Sequence, residues 1–220
     1  MSHKVHPKSF RIKGSKDWDS RGFYEKEFKS YLEQDFVIRK FLKQKIGKAG
    51  VGRIEIERSA GKINIIISAM RPGLIIGRGG EGIEMLKKEL ASKIIKKKAK
   101  DKKEERMQLR VEVREIKNPW ASSVLVGQWM SSQIEKRIAY RRVLKKALAK
   151  IMTQKEIKGA RVEVSGRLNG IAIARREWLQ RGLLPRQTLR ADIDYAQTVA
   201  FCSYGSVGIK VWIYKGEKFD

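Results

Sequence analysis

Leu74-Ile75-Ile76-Gly77-Arg78-Gly79-Gly80-Glu81-Gly82-Ile83 is the stretch whose reading decides the fold, with four glycines and an arginine in six residues. The spacing Gly77-x-Gly79-x-x-Gly82 matches the dinucleotide fingerprint G-x-G-x-x-G in form. That fingerprint needs an unbroken strand leading into it and an acidic ribose ligand about twenty residues later. Here Pro72-Gly73 breaks the approach, and the region downstream is a lysine run, seven in the eleven residues Lys93 to Lys103. No Lys-Ser or Lys-Thr pair follows, so a phosphate-binding P-loop is absent too. What remains is a glycine loop between a short apolar helix and a longer one. Glycines let backbone N–H groups approach a phosphodiester without a Cβ in the way. The following helix N-terminus adds partial positive charge, and Arg78 adds a full one. A plain chain-reversing turn needs fewer glycines and no arginine.

The flanks give this loop a setting. Upstream, Phe28, Tyr31, Leu32, Phe36, Ile38, Phe41, Leu42 and Ile46 recur at helical spacing, which predicts a helix over 23–46, stopped by Gly50 and Gly52. Ile54 and Ile56, then the run Ile63 to Ile67, predict two strands joined at Ser59-Ala60-Gly61-Lys62. Glu81 to Lys100 is predicted as a helix, and Leu109, Val111 and Val113 as a third strand. The order is α-β-β-α-α-β. Residues 1–22 have no apolar period and are expected to form an extended basic arm. Asn118-Pro119 marks a boundary. Beyond it, helices are expected over 121–135 and 137–154, then strands at Val162 and Val164, at Leu189, Ile193 and Tyr195, and at Ile209, Val211 and Ile213. The expectation is an α+β chain with an arm (1–22), a first domain (23–117) and a second small domain with helices packed on a sheet (118–220). Trp120, Trp129, Trp178 and Trp212 sit in apolar patterns and are expected in the core rather than as base-stacking platforms.

Composition narrows the function. The 220 residues carry 50 Lys and Arg against 24 Asp and Glu, a formal charge of +26, with 41% apolar residues. That is core enough to fold and far more charge than solubility requires. Such self-repulsion is relieved by a polyanion, nucleic acid first and an anionic membrane second. One cysteine, Cys202, excludes an intrachain disulfide and points to the cytosol. With His3 and His6 near the start, it cannot build a Cys/His zinc site. No apolar run is long enough to span a membrane, and the opening residues lack a signal-peptide core. Neither a nucleophile with its base nor a metal site is in view, so no catalytic residue and no cofactor or small-molecule substrate is expected. Asp192 and Asp194 alternate on a strand and keep a metal-dependent nuclease as the enzymatic rival, although ion pairs with Arg190 or another arginine explain them as well. Nicking lost on Asp192→Asn or Asp194→Asn would mark that rival.

The densest positive excess lies in 117–158, with ten basic residues and two acids, Glu135 and Glu156. Wound as a helix, Tyr140, Leu144, Ala147, Leu148 and Ile151 gather on one side, while Arg141, Arg142, Lys145, Lys146 and Lys150 spread over the rest. Solvated faces usually mix signs, since like charges a turn apart repel. An all-positive face therefore expects a polyanion. It lacks the exposed Trp or Phe of a membrane-lying helix.

These residues carry a resemblance. The α-β-β-α-α-β order around Ile76-Gly77-Arg78-Gly79-Gly80-x-x-Ile83 resembles the type II KH domain of bacterial ribosomes. Lys4-Val5-His6-Pro7 looks like the opening of the universal small-subunit ribosomal protein three family in its bacterial form. Val162-Glu163-Val164-Ser165-Gly166-Arg167-Leu168, Ala174-Arg175, Glu177-Trp178, Leu189 to Tyr195 and Gly208 to Ile213 are similar to its second domain, so the likeness spans the chain. Many members carry two basic residues inside the glycine loop, whereas position 79 here is glycine. The resemblance implies a structural constituent of the cytoplasmic small ribosomal subunit, in its head, that binds small-subunit rRNA. It implies Gly77, Arg78, Gly79 and Gly80 as the RNA-binding KH loop. It also implies that Arg141, Arg142 and Lys145 line the messenger RNA entrance and help open structured messenger. Small-subunit proteins ten and fourteen would be neighbours, with protein two nearby. Lys4, Lys8, Arg11, Lys13, Arg167, Arg175, Arg176 and Arg190 are the further expected rRNA contacts. A free KH protein of RNA processing or transcription is the non-ribosomal alternative.

Overall fold

The computed structural model describes residues 5–11, 17–22, 28–59, 62–98 and 108–218. The chain divides into two compact units, Asp17–Lys117 and Asn118–Asp220, with Met1–Lys16 grouped with the second.

In the first unit the strands β1 (Ser20–Gly22), β2 (Val51–Ser59), β3 (Lys62–Ala69) and β4 (Gln108–Glu115) form one sheet in that order. β1 runs parallel to β2, β2 antiparallel to β3, and β3 parallel to β4. Ile54 and Ile56 lie opposite Ile67 and Ile65, and all four are buried. The helices α1 (Phe28–Ile46), α2 (Pro72–Ile76) and α3 (Glu81–Lys98) supply Ile38, Leu42, Ile75, Leu86 and Leu90 to the same core. The predicted α-β-β-α-α-β order is therefore present; the first residues expected in its opening helix, 23–27, lie outside the described residues.

One difference from the sequence reading concerns the arm. Ser20–Gly22, within the stretch expected as an extended basic arm, is extended but pairs with β2 as a strand of the sheet. It brings no apolar side chain, so no hydrophobic alternation marks it. Polar groups hold it instead. Ile56 N–H donates to Asp19 O, Arg39 donates to Asp19 O and Ser20 Oγ, and Arg21 pairs with Glu55 at 2.7 Å. Nearby, Arg58 is buried against Asp35, with Gln34 Oε1 accepting from its other nitrogen and the Tyr31 ring 4.9 Å away. A charge desolvated this far is tolerable only with such a full set of partners.

In the second unit α4 (Ser123–Glu135) and α5 (Tyr140–Met152) cover one face of the antiparallel sheet β6-β5-β8-β7. These strands are β5 (Gly159–Gly166), β6 (Arg175–Gly182), β7 (Ala191–Cys202) and β8 (Gly205–Glu217). Ala160, Val162 and Val164 face Ile213, Val211 and Ile209 across the β5/β8 ladder and pack with Met130, Leu144, Leu148 and Ile151 of the helices. β6 is an addition to the expected strands. Its Arg-Arg-Glu-Trp-Leu-Gln-Arg sequence buries no residue fully, because it is an edge strand. β7 starts after Leu189, at Ala191.

The opposite face of this sheet carries a ladder of rings and cations. His6 meets Tyr195 edge-on at 4.8 Å, Tyr195 lies 5.2 Å from Trp212, and Arg161 sits 5.6 Å from Trp212 and 4.0 Å from Trp178. The expectation that all four tryptophans lie in the core needs correcting here. Trp120 and Trp129 pack against the core, edge to face at 5.2 Å, but Trp178 stands half exposed on the edge strand, steadied by Arg161.

Candidate nucleic-acid interface

The glycine loop is built by two helices that cross closely. Gly77 N–H donates to Gly73 O at 3.0 Å and closes α2. A Cβ on Gly82 would stand 2.6 Å from Ile75 O and 2.8 Å from Ile76 O, so the first turn of α3 rests directly on the last carbonyls of α2. Gly82 is thus explained by packing. Gly79 and Gly80 are different: both hold positive φ, 58° and 85°, and nothing stands within 4 Å of where their Cβ atoms would be. Their backbone faces open space beside exposed Arg78, whose side chain makes no hydrogen bond or ion pair among the described residues. Glu81 and Glu84 occupy the first turn of α3 and already complement its positive end. The loop can therefore offer a phosphate its N–H groups and one guanidinium, in a milder field than a bare helix terminus.

The face of α5 is more strongly positive. Tyr140, Val143, Leu144, Ala147, Leu148 and Ile151 are buried on one side. On the other, Arg142, Lys145 and Lys146 are exposed and make no ion pair among the described residues. Arg141 is exposed and reaches Glu177 of β6 at 3.3 Å, while Tyr140 Oη donates to Glu177 Oε1 at 2.7 Å. The Tyr140 hydrogen bond, then Arg141, hold the Glu177 carboxyl below its ordinary pKa. The hydrogen bond that Arg141 itself donates to Glu177 raises the guanidinium, so the pair stays charged. Arg141, Arg142, Lys145, Lys146 and Ala149 line a shallow, open hollow along the surface of α5. Lys146 belongs to this set although the resemblance does not mark it; its position on the helical wheel is the signal that finds it.

The remaining expected RNA contacts are scattered and mostly engaged within the fold. Arg11 donates to Thr188 O at 3.0 Å, Arg186 O at 2.8 Å, Pro185 O at 3.4 Å and Pro7 O at 3.1 Å, clasping the turn before β7. Lys8 pairs with Asp194 at 2.8 Å. Arg167 donates to the carbonyls of Gly170, Ile171 and Tyr204. Arg176 pairs with buried Glu163, which also takes Arg161, and Arg190 with Glu217. Arg175 is exposed on the edge strand; its side chain makes no hydrogen bond among the described residues, and its charge helps lower the Glu177 carboxyl. Lys4 and Lys13 lie outside the described residues.

The two aspartates of the nuclease rival have separate structural duties. Asp194 accepts from Ser123 N–H at 2.8 Å, at the start of α4, besides its pair with Lys8. Asp192 lies 3.9 Å from Lys218, where the β7/β8 register shifts by one residue. Lysines and a helix N-terminus thus serve these carboxylates, in place of the arginine partners expected. Among the described residues no cluster of three His, Cys, Asp or Glu could hold a metal, and no helix is long and apolar enough to cross a membrane.

An α-β-β-α-α-β unit with an open glycine loop, joined to a sheet domain bearing an all-positive helix, defines the class: a KH-containing RNA-binding protein. Comparison with known families gives the particular one. The family model described as KH domain matches residues 37–121, and that described as Ribosomal protein S3, C-terminal domain, matches 130–213. The small ribosomal subunit protein uS3 of Caldicellulosiruptor saccharolyticus is 45% identical over 218 residues, covering 99% of this chain and 93% of that protein. The uS3 of Enterococcus faecalis is 43% identical over 217 residues, covering 99% and 94%. This chain belongs to the small ribosomal subunit protein uS3 family.

Proposed function

We propose that the cationic face of α5 grips messenger RNA where it enters the small ribosomal subunit. Family membership makes the chain a non-enzymatic, RNA-binding constituent of that subunit, in the cytoplasm, with rRNA as its principal partner. The single observation that carries the messenger reading is the row Arg142, Lys145 and Lys146. These cations are exposed and unpaired over an open hollow while most other arginines of this unit are spent on carbonyls and carboxylates. Guanidinium and ammonium groups held by a rigid helix can retain phosphates of one strand while translocation draws the other away. The ribosome supplies the driving force; the helix supplies the grip. The Gly77-Arg78-Gly79-Gly80 loop is a second RNA contact of milder charge. Small-subunit proteins ten and fourteen are taken as neighbours in the head, with protein two nearby.

The test is translation with ribosomes carrying Arg141→Glu, Arg142→Glu and Lys145→Glu together. Messages with a stable stem downstream should slow markedly, and unstructured messages little. Equal slowing of both would move these residues from the entrance to general assembly.

A further inference from the structure

Beside the hollow on α5 lies a second, narrower recess of about 280 Å³, lined by Trp129, Gln133, Ile138, Arg142, Val143 and Lys146. It adds side chains that the hollow lacks. Trp129, Ile138 and Val143 are apolar, and the side-chain amide of Gln133 makes no hydrogen bond among the described residues. Arg142 and Lys146 line both spaces, so the cationic track opens directly into the notch. The notch is framed rigidly. Arg137 takes a left-handed φ of 61° to close α4 through its N–H to Ile134 O, and Ile138 N–H donates to Gln133 O. Trp129 is braced by Trp120 at 5.2 Å and has Lys150 Nζ 5.5 Å from its ring.

The geometry points to a pocket for one unpaired nucleobase of single-stranded RNA, with its flanking phosphates on Arg142 and Lys146. At about 30 Å³ per water molecule the recess has room for roughly nine, enough for a base ring system. Aromatic and aliphatic walls take a base of any identity by its π-face, and one amide at the wall meets a base edge. Duplex RNA presents phosphates to the hollow but keeps its bases stacked inside, so it fills the first space and not the second. This inference rests on the reading of α5 as an RNA-binding face, and it adds strand selectivity: the site retains the strand whose bases are already free, beside the cations that hold its backbone.

The experiment uses the full-length chain with labelled single-stranded RNA, RNA duplex, and an abasic strand of equal length, read by fluorescence anisotropy. Ile138→Ser and Gln133→Ala are both at partly exposed positions, and each is checked for a native thermal melt. Ile138→Ser should weaken single-strand binding by roughly tenfold, the scale of one lost base stack, with little change for duplex or abasic strand. Gln133→Ala should give a smaller loss in the same pattern. In a fluorotryptophan-labelled chain, the fluorine resonance assigned to Trp129 through Trp129→Phe should shift with single-stranded RNA and stay put with the abasic strand. Equal losses on all three ligands, or a Trp129 resonance unmoved by single strand, overturn the pocket and leave the cationic face intact. If Arg142→Glu changes no affinity at all, the reading of α5 fails first and the pocket falls with it.

Discussion

Asp194 shows how much one residue of the second unit holds. Its carboxylate ties the docked arm, through Lys8, to the first turn of α4, through Ser123 N–H. Burial by itself would raise its pKa, but the Lys8 ammonium and the Ser123 N–H outweigh that, and the group lies below its ordinary value of 3.8. A depressed carboxyl contributes stability above its unfolded pKa and loses it as pH falls through the folded one. Asp194→Asn should therefore be less stable than the parent near neutral pH, and the gap should close as pH drops below about 3.8. Urea unfolding followed by tryptophan fluorescence at several pH values measures this. A gap that persists unchanged into acid would show that packing, and not ionisation, sets the contribution. The sequence placed this aspartate on a strand and offered it an arginine partner. That its partners are Lys8, well over a hundred residues earlier, and a helix N–H is a matter of chain return, which no local pattern records.

At the scale of elements, the glycine loop separates two duties that look alike in sequence. Gly82 lets α3 sit on the carbonyls of Ile75 and Ile76, while Gly79 only supplies a backbone angle in open space. Gly82→Ala must push the helices apart and should cost about 2 kcal/mol or more, as overpacking of a tight contact does. Gly79→Ala strains one left-handed residue and should cost about 1 kcal/mol. Thermal unfolding of the two variants compares them directly; equal costs would mean the crossing of α2 and α3 relaxes freely. The helix boundaries and the order of elements were legible because Ile, Leu and Val recur at periods of 3.6 and 2. β1 and β6 were not. One is held by carboxylates and arginines and the other is an edge that buries little, so neither carries an apolar alternation.

For the whole molecule, +26 charges outweigh any single contact. If six to ten phosphates are neutralised, RNA affinity should fall by roughly a thousandfold or more between about 50 and 200 mM salt. A titration of the full chain with an rRNA fragment across that range measures the slope, and a flat profile would remove the polyanion argument altogether. The slope reports the cations left over after folding, and those are fewer than composition suggests. Arg11, Arg58, Arg161 and Arg167 serve carbonyls and carboxylates of the chain itself, while Arg142, Lys145 and Lys146 do not.

The sequence by itself determined the class of partner, the α+β architecture, the glycine loop and the amphipathic helix with its positive face. Each of these is a property of composition or of short periodic spacing, and both survive in a linear string. The tertiary structure alone decided which cations stay available, which of the loop glycines pack and which lie open, and that Trp129 and Ile138 wall a recess continuous with Arg142 and Lys146. Those outcomes depend on which distant carbonyl, carboxylate or ring arrives beside a side chain. The long-range return of the chain sets that, because a buried or docked cation must find its partners wherever the fold brings them.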